Sequence, residues 1–135
     1  MNLSFDKMPM SFKAKRLDNN SWIYGSLLVK KETSTIYMDG TMPVRTFIIS
    51  DQSPINIEVN PLTVCRETPW YDNNGQPVFE NDLIETDDSF EFLVYWDNIK
   101  GRFWLKYQDS GEDYELDAID ILTHPEKFKL GENIL

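Results

Sequence analysis

Apolar and polar residues alternate in short runs along most of this chain, which is the pattern of β-strands that bury one face. The clearest example is the pair of runs at residues 90–96 and 102–107, where every second residue is apolar. Residues 97–101 read Asp-Asn-Ile-Lys-Gly and supply a turn between the runs, so the pattern predicts a β-hairpin. The hairpin residues predicted to lie in the core are Phe90, Phe92, Phe103 and Leu105.

Shorter runs of the same kind fill residues 11–64. The predicted strands are residues 12–15, 22–29, 35–38, 44–49 and 55–59, with a short continuation at 62–64. The first two strands flank a polar turn and are predicted to pair as a hairpin. Gly25 interrupts the second strand, which indicates a bulge or a close approach of another backbone. In the fifth strand, Ile55, Ile57 and Val59 are predicted to share one face.

A turn-rich stretch at residues 68–85 opens the second half of the chain. Its segment Asp72-Asn-Asn-Gly75 places Gly where a backbone turn needs a positive φ, so a tight turn is predicted there. The remaining predicted elements are strands at 77–79, 82–85, 114–116 and 118–122, a short helical turn at 124–128 and a tail at 129–135. Short strands separated by turn signals predict an all-β barrel or sandwich.

The two halves of the chain differ in charge. The 135 residues are 41% hydrophobic and 27% charged, which is enough to bury one core or two small ones. Residues 1–66 hold eight Lys/Arg and six Asp/Glu, a net of +2, whereas residues 67–135 hold five and seventeen, a net of −12. The acidic half would repel phosphate backbones, which argues against direct nucleic-acid binding, whereas a basic partner or simple solubility would fit this charge.

Residue types that carry out chemistry are sparse in this sequence. Cys65 and His124 are single and far apart, so they do not indicate a catalytic pair, and Cys65 cannot form a disulfide within the chain. A group of carboxylates could attract a hard cation, but its spacing does not follow a calcium-binding loop. These carboxylates are Glu80, Asp82, Glu85, Asp87, Asp88 and Glu91. We therefore expect no enzymatic activity, no metal and no cofactor.

The start of the chain and its apolar runs bear on localisation. No run of about 18 apolar residues occurs, which is the length that a membrane-spanning helix needs. The first residues also lack the apolar core and cleavage site of a signal peptide. We expect a cytoplasmic protein that makes no membrane contact.

Aromatic residues are frequent, with 18 in the chain. Most are expected to lie in the core, but Trp104 falls between Arg102 and Lys106 on the polar face of its strand. We predict that Trp104 is exposed or at an interface. Trp70 and Tyr71 are two further candidate protein contacts, because small β-barrels often bind peptides through exposed aromatic rings.

Residues 70–85 resemble a pattern found in the YopX-like proteins of bacteriophages and prophages. The pattern is an Asn-Gly turn, an apolar pair and Glu-x-Asp, seen here as Asn74-Gly75, Val78-Phe79 and Glu80-Asn81-Asp82. Other similar segments are Phe12-Lys-Ala14, Trp22-Ile-Tyr-Gly25, Pro61-Leu-Thr-Val64, Tyr95-Trp-Asp97, Gly101-Arg-Phe103 and residues 119–128. The resemblance implies a mainly β protein with an SH3-like barrel in its C-terminal half, self-association, and no catalytic residues that can be carried over.

Two positions depart from the family pattern. Asn81 stands where the family usually has Gly, and this exchange is mild because Asn tolerates a positive φ. Thr68-Pro69 stands where the family usually has Thr-Gly. Because Pro fixes its own φ, the segment entering the motif is expected to follow a different path.

The pattern and the resemblance together divide the chain into an arm at residues 1–10, an N-terminal β subdomain at 11–64 and an SH3-like barrel at 65–135. The leading hypothesis is a non-enzymatic phage accessory protein in a bacterial host that acts by protein–protein contact and forms homo-oligomers. The alternative is an acidic regulator or decoy of host nucleic-acid-binding proteins. A third hypothesis, an enzyme, would need a pocket that joins carboxylates to His124 or Cys65.

Overall fold

The computed structural model describes five ranges of the chain. These ranges are residues 11–32, 38–41, 43–50, 55–108 and 115–135. The predicted arm at 1–10 and all but the last residue of the predicted strand at 35–38 lie outside them.

Antiparallel β-strands make up most of the regular structure in these ranges, which confirms the predicted all-β class. The strands are β1 Phe12–Lys15, β2 Trp22–Lys31, β3 Val44–Ile49, β4 Ile57–Glu58, β5 Cys65–Tyr71, β6 Pro77–Phe79, β7 Asp82–Thr86, β8 Glu91–Asp97, β9 Arg102–Tyr107, β10 Glu115–Asp117 and β11 Phe128–Asn133. One α-helical turn, α1, spans Ile119–Leu122, and 3₁₀ turns span Pro61–Thr63 and Pro125–Lys127. The SH3-like barrel stays a prediction.

The chain divides into two compact units within β5. The N-terminal unit is Met10–Arg66 and the C-terminal unit contains Glu67–Leu135. The sequence placed this division between residues 64 and 65. The first residues of β5 pair with β1 in the N-terminal unit, and later residues of β5 pair with β6 in the C-terminal unit.

In the N-terminal unit the strands lie in the order β4, β3, β2, β1, β5. The predicted hairpin of β1 and β2 is present, with Phe12 opposite Gly25 and Lys15 opposite Trp22. Its core is small and consists of Ala14, Ile48 and Val59, with four half-buried apolar side chains around them. The four are Phe12, Ile23, Leu27 and Val64.

Two predictions about the end of this unit were wrong. Residues 62–64 do not continue a strand, because Pro61 begins a 3₁₀ turn and the Asn60 side chain accepts a hydrogen bond from the Leu62 N–H. Ile55 does not share a buried face with Ile57 and Val59, since it precedes β4 and is 65% exposed. Pro61 at the first turn position explains the first difference, because its fixed φ suits a helical start.

Gly25 lies close to the backbone of the neighbouring strand, which confirms the predicted close backbone approach. A Cβ atom at this position would lie 2.1 Å from the carbonyl oxygen of Ile49 on the neighbouring strand. Gly40 offers a contrast, because a Cβ there would have no atom within 4 Å although its φ is +86°.

Gly25→Ala should therefore lower the free energy of unfolding by about 3 kcal/mol, because the new methyl group must force β2 and β3 apart. Gly40→Ala should cost only about 1 kcal/mol, which is the usual cost of positive φ for a side chain. Urea unfolding of both variants measures the difference. If both variants lost the same free energy of unfolding, the close contact between Gly25 and Ile49 would not be important for stability.

An exposed ion-pair group joins β3, β4 and the residue that follows β2 in the same unit. The Arg45 guanidinium donates to both carboxylate oxygens of Glu58, at 2.7 and 2.9 Å, and to Glu32 at 3.0 Å. These hydrogen bonds hold the pKa of the Glu58 carboxyl below its ordinary value of 4.5.

Since the folded-state pKa of Glu58 is lowered, its stabilising effect is present above about pH 4.5 and is lost as pH falls through the folded pKa. Arg45→Met should lower the unfolding temperature slightly near neutral pH, and this difference from the original chain should shrink in acid. Thermal unfolding at several pH values tests the sign. A difference that grows in acid would contradict this assignment.

The C-terminal unit is built on a sheet with the strand order β10, β9, β8, β7, β11. The predicted hairpin of β8 and β9 is present, with Phe92 opposite Tyr107 and Asp97 opposite Arg102. The inner face of the sheet forms the larger core together with residues from β6, α1 and its N-cap. The buried members are Val78, Ile84, Phe92, Val94, Leu105, Ala118, Leu122 and Phe128.

Three predictions about this unit were wrong. Residues 118–122 do not form a strand, because Ala118 is the N-cap of α1 and the helical turn buries Ala118 and Leu122 on one side. Residues 129–135 are not a tail, because β11 pairs with β7 as far as Asn133. Phe90 is 45% exposed because it precedes β8, although its ring packs against Tyr107 at 5.8 Å. The predicted helical turn near residue 125 is confirmed as a 3₁₀ turn.

Candidate functional site

The predicted turn at residues 72–75 is confirmed, and the carboxylate of Asp72 organises it. Asp72 is 4% exposed. One carboxylate oxygen accepts from the N–H groups of Asn74 and Gln76 at 2.9 and 2.8 Å, and the other accepts from the N–H of Leu130 in β11 at 3.1 Å. Gly75 has a φ of +76°, as the turn requires. Both carboxylate oxygens of Asp72 therefore accept hydrogen bonds from backbone N–H groups, which is a structural role.

A second buried carboxylate, Asp82, has a similar role. Its side chain accepts from the N–H of Phe79 at 2.7 Å and from the Asn133 side chain at 2.9 Å. Asn133 also donates to the carbonyl of Glu80 at 3.0 Å. Asn81, which lies between Glu80 and Asp82, has a φ of +68°, a conformation that Asn tolerates. The described ranges contain no group of three or more His, Cys, Asp or Glu residues arranged to hold a metal ion.

Cys65 and His124 each have a local partner. Cys65 is fully buried in the N-terminal unit, and its S–H donates to the carbonyl of Thr63 at 3.4 Å. His124 is exposed in the C-terminal unit, with its Nδ1 3.6 Å from the Glu126 carboxylate. The burial of Cys65 and the exposure of His124 fit structural and surface roles.

The three predicted contact residues do not form one cluster. Trp70 packs against the larger core and meets the edge of the Phe103 ring at a centroid distance of 5.9 Å. Phe103 and Trp104 are successive residues of β9, so their side chains point to opposite faces of the sheet. Tyr71 is 49% exposed. Trp70 therefore belongs to the inner side, whereas Trp104 belongs to the opposite face.

Trp104 is half-buried rather than exposed, and two cations cover its ring. The ammonium group of Lys100 lies 4.5 Å from the ring centroid and the Arg102 guanidinium lies 4.6 Å from it. The indole N–H of Trp104 is buried and has no hydrogen-bond acceptor among the described residues. A buried donor without a partner costs free energy. The packing of the ring and its contacts with the two cations offset this cost.

Strand register places Trp104 in an apolar stripe, which we call the outer face. Tyr95 in β8 lies directly opposite Trp104, and Leu83 in β7 lies opposite Leu93 in β8. All four side chains are half-buried. The sequence pattern assigned Leu93 and Tyr95 to this side of β8, but it missed Leu83, because only the register of β7 with β8 reveals that position.

The charges around the outer face nearly balance. By strand register they are the five acidic residues Glu85, Glu91, Asp97, Glu115 and Asp117 and the four basic residues Lys100, Arg102, Lys106 and Lys129. Arg102 lies 3.0 Å from Asp117 and Lys129 lies 3.9 Å from Glu85. This balance differs from the strongly negative charge of the C-terminal half as a whole.

The described chain is thus an all-β protein of two units, whose five-stranded sheet carries an apolar stripe flanked by charges of both signs. Comparison with protein-family models, with curated proteins and with solved structures found no match to this chain. Among the described residues, no helix is long and apolar enough to span a membrane.

Asp72→Ala should lower the free energy of unfolding by about 3 kcal/mol, because it leaves three backbone donors without their acceptor and releases β11 from the turn. Asp97→Ala is a matched control. Asp97 also accepts from two turn N–H groups, those of Ile99 and Lys100, but these lie in an exposed loop where water can replace it. We expect the control to cost about 1 kcal/mol or less. Urea unfolding would contradict the role of Asp72 if both losses were equal.

Proposed function

We propose that this chain is a YopX-like phage or prophage accessory protein that performs no catalysis and acts in the bacterial host by protein–protein contact, including self-association. The observation that supports the proposal best is the outer face. Its stripe of Leu83, Leu93, Tyr95 and Trp104 combines apolar area with the aromatic residue types that dominate binding energy at interfaces.

Charge favours a second copy of the chain as the partner at this face. With a net charge of −12 on residues 67–135, two copies repel each other over most of their C-terminal halves. The outer face is different, because its five acidic and four basic residues nearly cancel. A two-fold symmetric contact would bring the same residues of both copies together and could pair Arg102 of one copy with an acidic residue of the other.

The local geometry also fits the family resemblance. Asn81 adopts a positive φ at the position where YopX-like proteins usually have Gly, so both residue types satisfy the same backbone requirement. Pro69 lies in β5 where the pairing with β6 shifts register between Glu67 and Tyr71. Pro is tolerated at such irregular positions, because no ladder hydrogen bond is required of it.

Trp104→Ala should weaken self-association by at least about 30-fold, which corresponds to a loss of about 2 kcal/mol at an interface anchor. Analytical ultracentrifugation over a range of protein concentrations measures the effect. Leu93→Ala should act in the same direction with a smaller effect. Circular dichroism establishes that both variants remain folded.

Leu62→Ala is the control, because Leu62 is 83% exposed in the N-terminal unit and lies outside the outer face. It should leave the association constant within about twofold of the original. The proposal fails if the original chain is monomeric at high concentration, or if Trp104→Ala and Leu62→Ala associate equally well. Tyr71→Ala tests separately whether that predicted contact residue takes part.

A further inference from the structure

A groove on the C-terminal unit lies apart from the outer face. It has a volume of about 310 Å³ and is bounded by the turn between β7 and β8, by α1 and by the 3₁₀ turn that follows α1. The residues that matter for its chemistry are Asp87, Asp88, Phe90, Asp120, Ile121 and His124. We call this the turn groove.

The floor of the turn groove is apolar and held in place. Phe90 is 45% exposed, and its ring packs against Tyr107, which also contacts the ring of Phe92 at 5.6 Å. The Phe90 N–H donates to the hydroxyl of Thr86 at 3.3 Å. An exposed aromatic ring with a fixed backbone is suited to binding an apolar side-chain stem, because little ordering is needed on contact.

The rim of the turn groove is acidic. Asp87, Asp88 and Asp120 are exposed, and none of them forms an ion pair within the described ranges. Lys127 is the one lysine or arginine in the lining, while the His124 imidazole faces Glu126. The backbone on this side is also fixed, since the Asp87 N–H donates to the Lys127 carbonyl at 3.0 Å.

We propose that the turn groove binds a basic segment of a different protein by taking up a Lys or Arg side chain. The apolar stem of that side chain lies over Phe90 and Ile121, and its cationic head reaches Asp88 or Asp120. Long cationic side chains bind in this way because their stems are apolar and their heads are charged. This surface is independent of the self-association proposed above.

Charge identifies the occupant as a basic partner. The C-terminal half has seventeen carboxylates against five Lys/Arg, so a second copy of it would bring mostly like charge to the groove. Nucleic acid would be repelled for the same reason. A Lys/Arg-rich peptide brings opposite charge to Asp87, Asp88 and Asp120 and matches the apolar floor.

The test uses the full chain and a short fluorescein-labelled peptide that alternates Arg, Lys and Leu, with fluorescence anisotropy as the readout. The comparison peptide has Glu in place of each Arg and Lys. Asp120→Asn and Phe90→Ala should each weaken binding of the basic peptide by roughly fivefold to tenfold. Both side chains are exposed, so these variants should fold, and circular dichroism checks this.

Glu132→Gln is the matched control, because it removes the same charge from an exposed position in β11 outside the groove. It should change binding by less than about twofold. Equal losses in Asp120→Asn and Glu132→Gln would overturn the proposal, because general charge would then account for binding. The proposal also fails if Phe90→Ala binds normally, if the comparison peptide binds equally well, or if Asp120→Asn weakens self-association of the chain instead.

Discussion

The Asp72 carboxylate is the constraint on which the C-terminal unit depends. It joins a turn at the start of the unit to Leu130 in its last strand, and the Asn73 N–H reinforces this link by donating to the Phe128 carbonyl. Asp82 and Asn133 make a second link of the same kind. Because the two links connect residues more than 50 positions apart, β11 is fixed by side chains as well as by its pairing with β7.

Part of this fold could be predicted from the sequence, and the same links explain why the last strand could not. The hairpin of β8 and β9 follows from alternation within each strand, and the turn before β6 follows from Gly75. The last strand could not be predicted from its own residues, because the segment from Lys129 to Asn133 is mostly polar and contains Gly131. Its partners, such as Asp72, are distant in sequence, and only the folded chain brings them together.

Short apolar segments limited the prediction in a different way. Residues 118–122 are apolar at most positions, and a run this short fits a strand as well as one helical turn. The structure selects the helical turn, in which Ala118 and Leu122 both reach the core. Phe90 was also predicted wrongly. Its alternation with Phe92 placed it in the core, but β8 begins one residue later, at Glu91.

The candidate site was predictable only in part. Alternation within one strand shows which of its own residues share a face, but it does not show which residues of a neighbouring strand lie on that face. Trp104 was identified by the charged residues on both sides of it. Trp70 is of the same residue type, but it packs on the inner side against Phe103. The contribution of Leu83 to the outer face depends on its register opposite Leu93, which the sequence of β7 alone does not contain.

The turn at Asp72 has a further consequence for how this sheet can meet other chains. A terminal strand usually leaves alternate N–H and carbonyl groups free to template a foreign strand. In β11 the outward carbonyl of Phe128 already accepts from the Asn73 N–H, and the outward N–H of Leu130 already donates to the Asp72 carboxylate. A strand from another chain could pair with β11 there only by first displacing the turn. Asp72 therefore also protects this edge of the sheet against aggregation by strand pairing.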